Sequence, residues 1–157
     1  MTGAIDRLLA RCPGLGVARS RDGIDGVLVP PAQWLAVAGV CREEGFVRFL
    51  DLTAVDEPSR AERFEVVALV HSPAEQCWVR LRTFTSDCLP SLVPCFAGAN
   101  WYEREVFDLF GVRFEGHPDL RRIVLPDDFP SHPLRRDHPL GDIPVEFHVT
   151  REEHEAP

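Results

Sequence analysis

Glu103, Arg104, Glu105 and Asp108 crowd into the single run Asn100–Gly111, and His117, Asp119, Asp127, Asp128, His132, Asp137 and His138 follow it. Two chemistries suit such residues. Paired glutamates could share acid and base work, and the histidines with the aspartates could hold zinc or manganese for a hydrolase. Spacing argues against both. Glu103 and Glu105 are two positions apart, so they do not face one another on a helix. His117, His132 and His138 each precede a proline, and there is no H-E-x-x-H pattern to set two rings on one helical face. The five cysteines are widely spaced with no C-x-x-C pair, a poor match to a zinc or iron–sulfur site and a good one to reduced, buried thiols. No glycine-rich nucleotide loop accompanies them. Catalysis by these residues is therefore discounted, and on their own the charges of the Asn100–Gly111 run read as the solvated face of a surface helix.

The run that holds them reads as a helix. Trp101, Tyr102, Val106, Leu109 and Phe110 recur three and four residues apart, giving one apolar face and leaving Glu103, Arg104 and Asp108 to project elsewhere. Arg104 and Asp108 are spaced to pair across one turn, and Gly111 is a plausible stop. Upstream, Ala4–Arg11 suggests a short helix ended by Pro13 and Gly14, and Gly26–Val29 a brief strand. Pro31 suits the first turn of a helix carrying Trp34, Leu35, Ala38 and Cys41, with Gly45 at its end. Phe46–Val55 reads as a strand and Asp56–Ser59 as a turn. The segment Arg63–His71 alternates but is apolar on both faces, as a central strand is. After a Ser72-Pro73 turn, Cys77, Val79, Leu81 and Thr83 alternate with Trp78, Arg80, Arg82 and Phe84, so one face of that strand is wet and its pairing antiparallel. The fold class is α+β: a mostly antiparallel or mixed sheet with helices on one side.

Composition shifts near residue 115. Seven of the fourteen prolines lie between Pro118 and Pro157, without long apolar periodicity. Residues 1–115 thus read as a globular domain and 116–157 as an extended Pro/Arg-rich arm. The net charge of −8 disfavours phosphate backbones, so no nucleic-acid partner is expected. All seventeen basic residues are arginine, whose planar fork suits carboxylate pairing at interfaces. Met1–Leu9 is too short and polar for a signal peptide, and no apolar run approaches the roughly 20 residues of a membrane span. Contact with a membrane is expected only through partners.

Three runs taken together are specific. Glu103-Arg104-Glu105-Val106-Phe107-Asp108-Leu109-Phe110-Gly111, then His117-Pro118-Asp119-Leu120-Arg121-Arg122, then His132-Pro133-Leu134-Arg135-Arg136-Asp137 resemble, in order, the signature of the C-type subunit of NADH:quinone oxidoreductase, the thirty-kilodalton subunit family of complex I. Ser131, Arg136 and His138 depart from the family's usual glycine, lysine and aromatic residue, and the chain looks like a short version. The resemblance implies a structural component without catalytic, cofactor-binding or metal residues of its own. FMN and iron–sulfur clusters would lie in partner subunits of a proton-pumping translocase. It implies packing against the D-type subunit that helps form the quinone site. The B- and I-type subunits of the peripheral arm would lie nearby, on the cytoplasmic side of a bacterial or archaeal plasma membrane. Related membrane-bound hydrogenases and F420- or ferredoxin-linked dehydrogenases use similar components and are the alternative. On this reading Arg121, Arg122, Arg135 and Arg136 reach partners, while Trp101, Phe107 and Phe110 root the arm in the core.

Overall fold

The structure, a computed structural model, describes residues 2–138. Its elements run α1 (Thr2–Arg11), β1 (Gly16–Ala18), β2 (Gly26–Leu28), a 3-10 turn (Pro31–Gln33) leading into α2 (Trp34–Glu43), β3 (Arg48–Asp56), β4 (Phe64–Ser72), β5 (Cys77–Thr85), β6 (Cys88–Pro90), α3 (Ala99–Phe110) and β7 (Arg113–Glu115). The five-stranded sheet has the order β1-β2-β5-β4-β3. β2 and β5 are parallel and the other pairs antiparallel, so the sheet is mixed. The α+β expectation holds, with β4 an interior strand as its two apolar faces required.

Alternation sets which face is covered. Register places Leu52, Ala68 and Leu81 in one row and Ala54, Val66 and Thr83 in the next, all pointing the same way. Leu8 of α1, Trp34 and Cys41 of α2, and Val106 of α3 pack against that face to form one core. Each such apolar side chain contributes about 1.5–3 kcal/mol by leaving water. The opposite face carries Arg80 and Arg82 and leaves Trp78 and Val55 exposed, which is the wet face expected of β5. The β2–β5 approach also explains Gly26: a Cβ there would lie 2.8 Å from the Arg80 carbonyl oxygen.

Three strands, β1, β6 and β7, are absent from the sequence reading. Each is three residues long, too short for alternation to be seen. β6 and β7 pair in parallel as a separate two-stranded sheet flanking α3. Residues 116–138 form turns without helix or strand and lie back along α3. The rest of the expected arm, residues 139–157, lies outside the described residues.

Candidate functional site

Helix α3 is enclosed on two sides, and this reverses the polarity its sequence suggests. Ala99, Glu103 and Val106 are buried on the core side, and Arg104 and Asp108 are buried beneath residues 121–132. Trp101 and Glu105, one turn apart, are the exposed pair, with Trp101 63% accessible. The expectation that Trp101 roots the arm in the core, with Glu103, Arg104 and Asp108 facing away, is therefore corrected. The covering layer on the second side is polar backbone, and buried charged side chains are tolerated where backbone groups meet them. Glu103 and Glu105 sit on different faces, one buried and one exposed, in line with their spacing.

Asp108 is the centre of the arrangement. Its Oδ2 accepts the backbone N–H groups of Ile123, Val124 and Leu125 at 3.0, 2.8 and 3.0 Å. Its Oδ1 accepts Arg122 Nη1 at 2.7 Å. Burial alone would raise the carboxyl pKa. The three amides and the guanidinium outweigh burial and hold it down at about 2. The Arg104–Asp108 pair expected from spacing does not form. Arg104 instead donates to the carbonyls of Arg121 and Arg122 and lies under the Trp101 ring, 4.8 Å from its centroid. Arg122, with its side chain 15% exposed, also donates to the carbonyls of Phe129 and Ser131. One aspartate and two arginines thus fold the segment from 121 to 131 onto the helix.

The third run closes the helix end. A helix leaves its last four carbonyls without partners. Here Gly111 N–H donates to Phe107, His132 Nδ1 to Asp108, Leu134 N–H to Leu109 and Arg135 Nε to Phe110, so all four are met. Arg135 also lies 5.4 Å over the Phe64 ring, a cation favourably placed at a helix C-terminus. Phe107 and His132 meet edge to face, and Phe110 packs against the core. Farther on, Arg136 N–H donates to Asp56 Oδ2 at 2.7 Å, and Asp137 bonds Arg63, which grips Asp56 through two nitrogens. The middle run is fixed by His117, whose Nε2 donates to the Asn100 carbonyl while Nδ1 accepts the Asp119 N–H. Pro118 and Pro133 follow these two histidines directly, and each holds its turn's backbone.

Asp56, Arg63 and Ser91 were not singled out by sequence reasoning. One signal for Asp56 was available: it shares the inward parity of Leu52 and Ala54 on β3, where a charge needs a partner. The histidine nitrogens just named are occupied by backbone groups, and no cluster of three or more metal-ligating side chains occurs among the described residues. Such a set of interlocked caps orders a surface.

One consequence is local. Arg104→Ala removes two charged hydrogen bonds and a cation–π contact, so a loss of about 2–3 kcal/mol is expected. Urea unfolding should show a lower midpoint at unchanged slope. An unshifted midpoint would mean that Arg104 is idle.

Residues 27–143 match the family described as "Respiratory-chain NADH dehydrogenase, 30 Kd subunit". The chain is 42% identical over 125 residues to the C-type NADH-quinone oxidoreductase subunit of Brucella abortus (strain 2308), covering 76% of this chain and 62% of that protein. It is 48% identical over 97 residues to "NADH-ubiquinone oxidoreductase 30.4 kDa subunit, mitochondrial" of Neurospora crassa, covering 60% of this chain but 34% of that one. It therefore spans about three-fifths of the bacterial relative's length. Among solved structures, the trypsin-resistant fragment (1-134) of Nqo5 superposes with a TM-score of 0.68 at 30% identity, over 74% of this chain and 99% of that one. A chain of the membrane-bound sulfane sulfur reductase, an archaeal respiratory membrane complex, shares the fold, with a TM-score of 0.78 at 24% identity over 88% and 85% of the two chains. The matched region contains every residue of the clamp around α3, and the chain belongs to the respiratory-chain NADH dehydrogenase 30 Kd subunit family.

Proposed function

We propose that this chain is a non-catalytic, C-type (thirty-kilodalton) component of the hydrophilic arm of a proton-pumping NADH:quinone oxidoreductase. It packs on the D-type subunit at the quinone site, with the B- and I-type subunits as further neighbours. FMN and iron–sulfur clusters belong to partner subunits, and the chain meets the cytoplasmic face of the membrane only through them. One observation carries the reading. Arg104, Asp108, Arg122, His132 and Arg135 of the three runs are spent inside the chain on holding the segment after residue 116 to α3, and the outer surface of that assembly presents Trp101, Arg121, Val124 and Leu134, all more than half exposed. Exposed tryptophan and arginine on a rigid support are the residue types that dominate interfaces.

This shifts the docking residues within the arm. Arg122 and Arg135 are engaged with Asp108 and Phe110, so truncating either would disturb the fold as well as any interface. Trp101→Ala with Arg121→Ala tests docking more cleanly. A tagged chain drawn from native membranes in mild detergent is expected to bring down the quinone-site partner with the flavin and iron–sulfur subunits. The double variant should lower that recovery ten-fold or more, since interface anchors cost about 2 kcal/mol or more when truncated. Its stability should fall chiefly through the lost Trp101–Arg104 contact, by about 0.5–1 kcal/mol, far less than a disrupted clamp would cost. Recovery of the chain alone would overturn the proposal. The fold is common to the sulfane sulfur reductase chain, so the co-purified donor-side subunit decides between NADH and a hydrogenase-, F420- or ferredoxin-linked machine.

A further inference from the structure

Glu103 is fully buried, yet nothing in the docking role uses it. Its Oε2 accepts the Ser91 hydroxyl and its Oε1 the Leu92 N–H, each at 2.6 Å. Those two residues form the bend that follows β6, and Ser91 Oγ also accepts the Val93 N–H. A carboxylate offers about four acceptor sites, so half of them go unmet. No cation compensates among the described residues. Arg104 on the same helix turns to the carbonyls of Arg121 and Arg122. On the strands packed beside α3, Arg113 pairs with Asp87 and Asp56 with Arg63, while Cys88, Glu115, Arg48 and Asp51 make no hydrogen bond or ion pair to it among the described residues. Asp108, five positions along the same helix and equally buried, has a guanidinium and three amides. The two carboxyls stand in opposite situations.

We propose that Glu103 is a proton-linked latch: neutral, it keeps the Ser91–Leu92 bend closed on α3, and ionised, it weakens that closure. Burying a carboxylate against only two neutral donors costs more than those bonds return, so the folded chain favours the protonated acid. In that form Oε1 still accepts Leu92 N–H, and the acid hydrogen can be given to Ser91 Oγ. Burial pushes the carboxyl up to about 7, against the ordinary 4.5. The sign follows. The folded state holds a proton that the unfolded state has released between those two values, so stability from this group is complete below 4.5 and is lost as pH rises to 7. The bend leads directly into Val93–Gly98, one wall of an open groove of about 420 Å³ shared with Arg42, Val47 and Phe49. Loosening the bend would open that wall to water.

Two measurements on the full chain test this. A carbon-13 titration should give the Glu103 carboxyl a midpoint near 7, and Ser91→Ala should move it higher, because the hydroxyl favours the ionised form. Amide exchange at Leu92 and Val93, corrected for intrinsic rate, should lose protection up to roughly ten-fold per pH unit between 4.5 and 7. In Glu103→Gln it should be flat. A midpoint in the ordinary carboxylate range, a midpoint unmoved or lowered by Ser91→Ala, or protection that ignores pH in the wild-type chain would each overturn the proposal. None of these readouts depends on a partner subunit, so they stand or fall apart from the docking experiment.

Discussion

Asp108→Ala is expected to destabilise the chain by about 3–5 kcal/mol, the largest single loss at the clamp, because it strands a buried guanidinium. Arg122 keeps its bonds to Phe129 and Ser131 but loses the one group that neutralises it. The N–H groups of Ile123, Val124 and Leu125 lose their only acceptor among the described residues. Asp108→Asn keeps the volume and one acceptor oxygen, so it should recover part of the loss, leaving roughly 2–3 kcal/mol. Urea unfolding measures both. If Asp108→Ala costs under about 1 kcal/mol, residues 121–131 are not held through this carboxylate. The same group sets an acid limit. Its pKa is lowered to about 2 in the fold from an ordinary 3.8, and Asp56 is lowered chiefly by Arg63. Their stabilisation is present above the ordinary value and lost as pH falls through the folded one. In Asp108→Asn the part of the acid loss between pH 4 and 2 that belongs to Asp108 should disappear, and an unchanged acid limb would contradict the assignment.

Much of the sheet was legible because β3, β4 and β5 are each nine residues long, enough for alternation to repeat. The parallel β2–β5 pair was not, since it joins Val27 to Leu81, 54 positions apart, and leaves no local trace. At the site the three runs were visible and their order was informative, but their use was misjudged. Apolar spacing on α3 separates greasy positions from polar ones; it does not say whether the polar ones meet water or folded backbone. Arg104 and Asp108 have the spacing of a helical ion pair, and either partner would be satisfied that way. What decides against it is Ile123–Leu125 presenting three successive amides to one oxygen. That geometry arises here because a chain segment with no regular structure is laid against the helix. His132, Leu134 and Arg135 are likewise unreadable as a helix cap from sequence, because they meet the carbonyls of residues more than twenty positions earlier.

Gly111→Ala should cost about 3 kcal/mol, and the reason separates two explanations of the glycine. Gly111 has φ of 77°, the left-handed conformation common after a helix, and a side chain there costs roughly 1–2 kcal/mol in strain. Space is the second constraint. A Cβ would lie 2.6 Å from His132 Cδ2 and 2.7 Å from Nε2, and would also strike the Arg135 guanidinium. Those are the side chains that cap Asp108 and Phe110, so relieving the clash should cost a further ~1 kcal/mol for each disturbed bond. Gly111→Asn discriminates, because asparagine tolerates the left-handed region but still carries a Cβ. Strain alone predicts near-complete recovery in the asparagine variant. Crowding predicts that most of the loss remains, and that is the result expected. A double-mutant cycle with His132→Ala gives an independent reading. With the ring gone the alanine at 111 gains room, so the two losses should fall short of additivity by about 1 kcal/mol. Full additivity would show that the helix end and the His132 turn are not in contact in solution. The clamp would then have to act through Asp108 and the arginines alone.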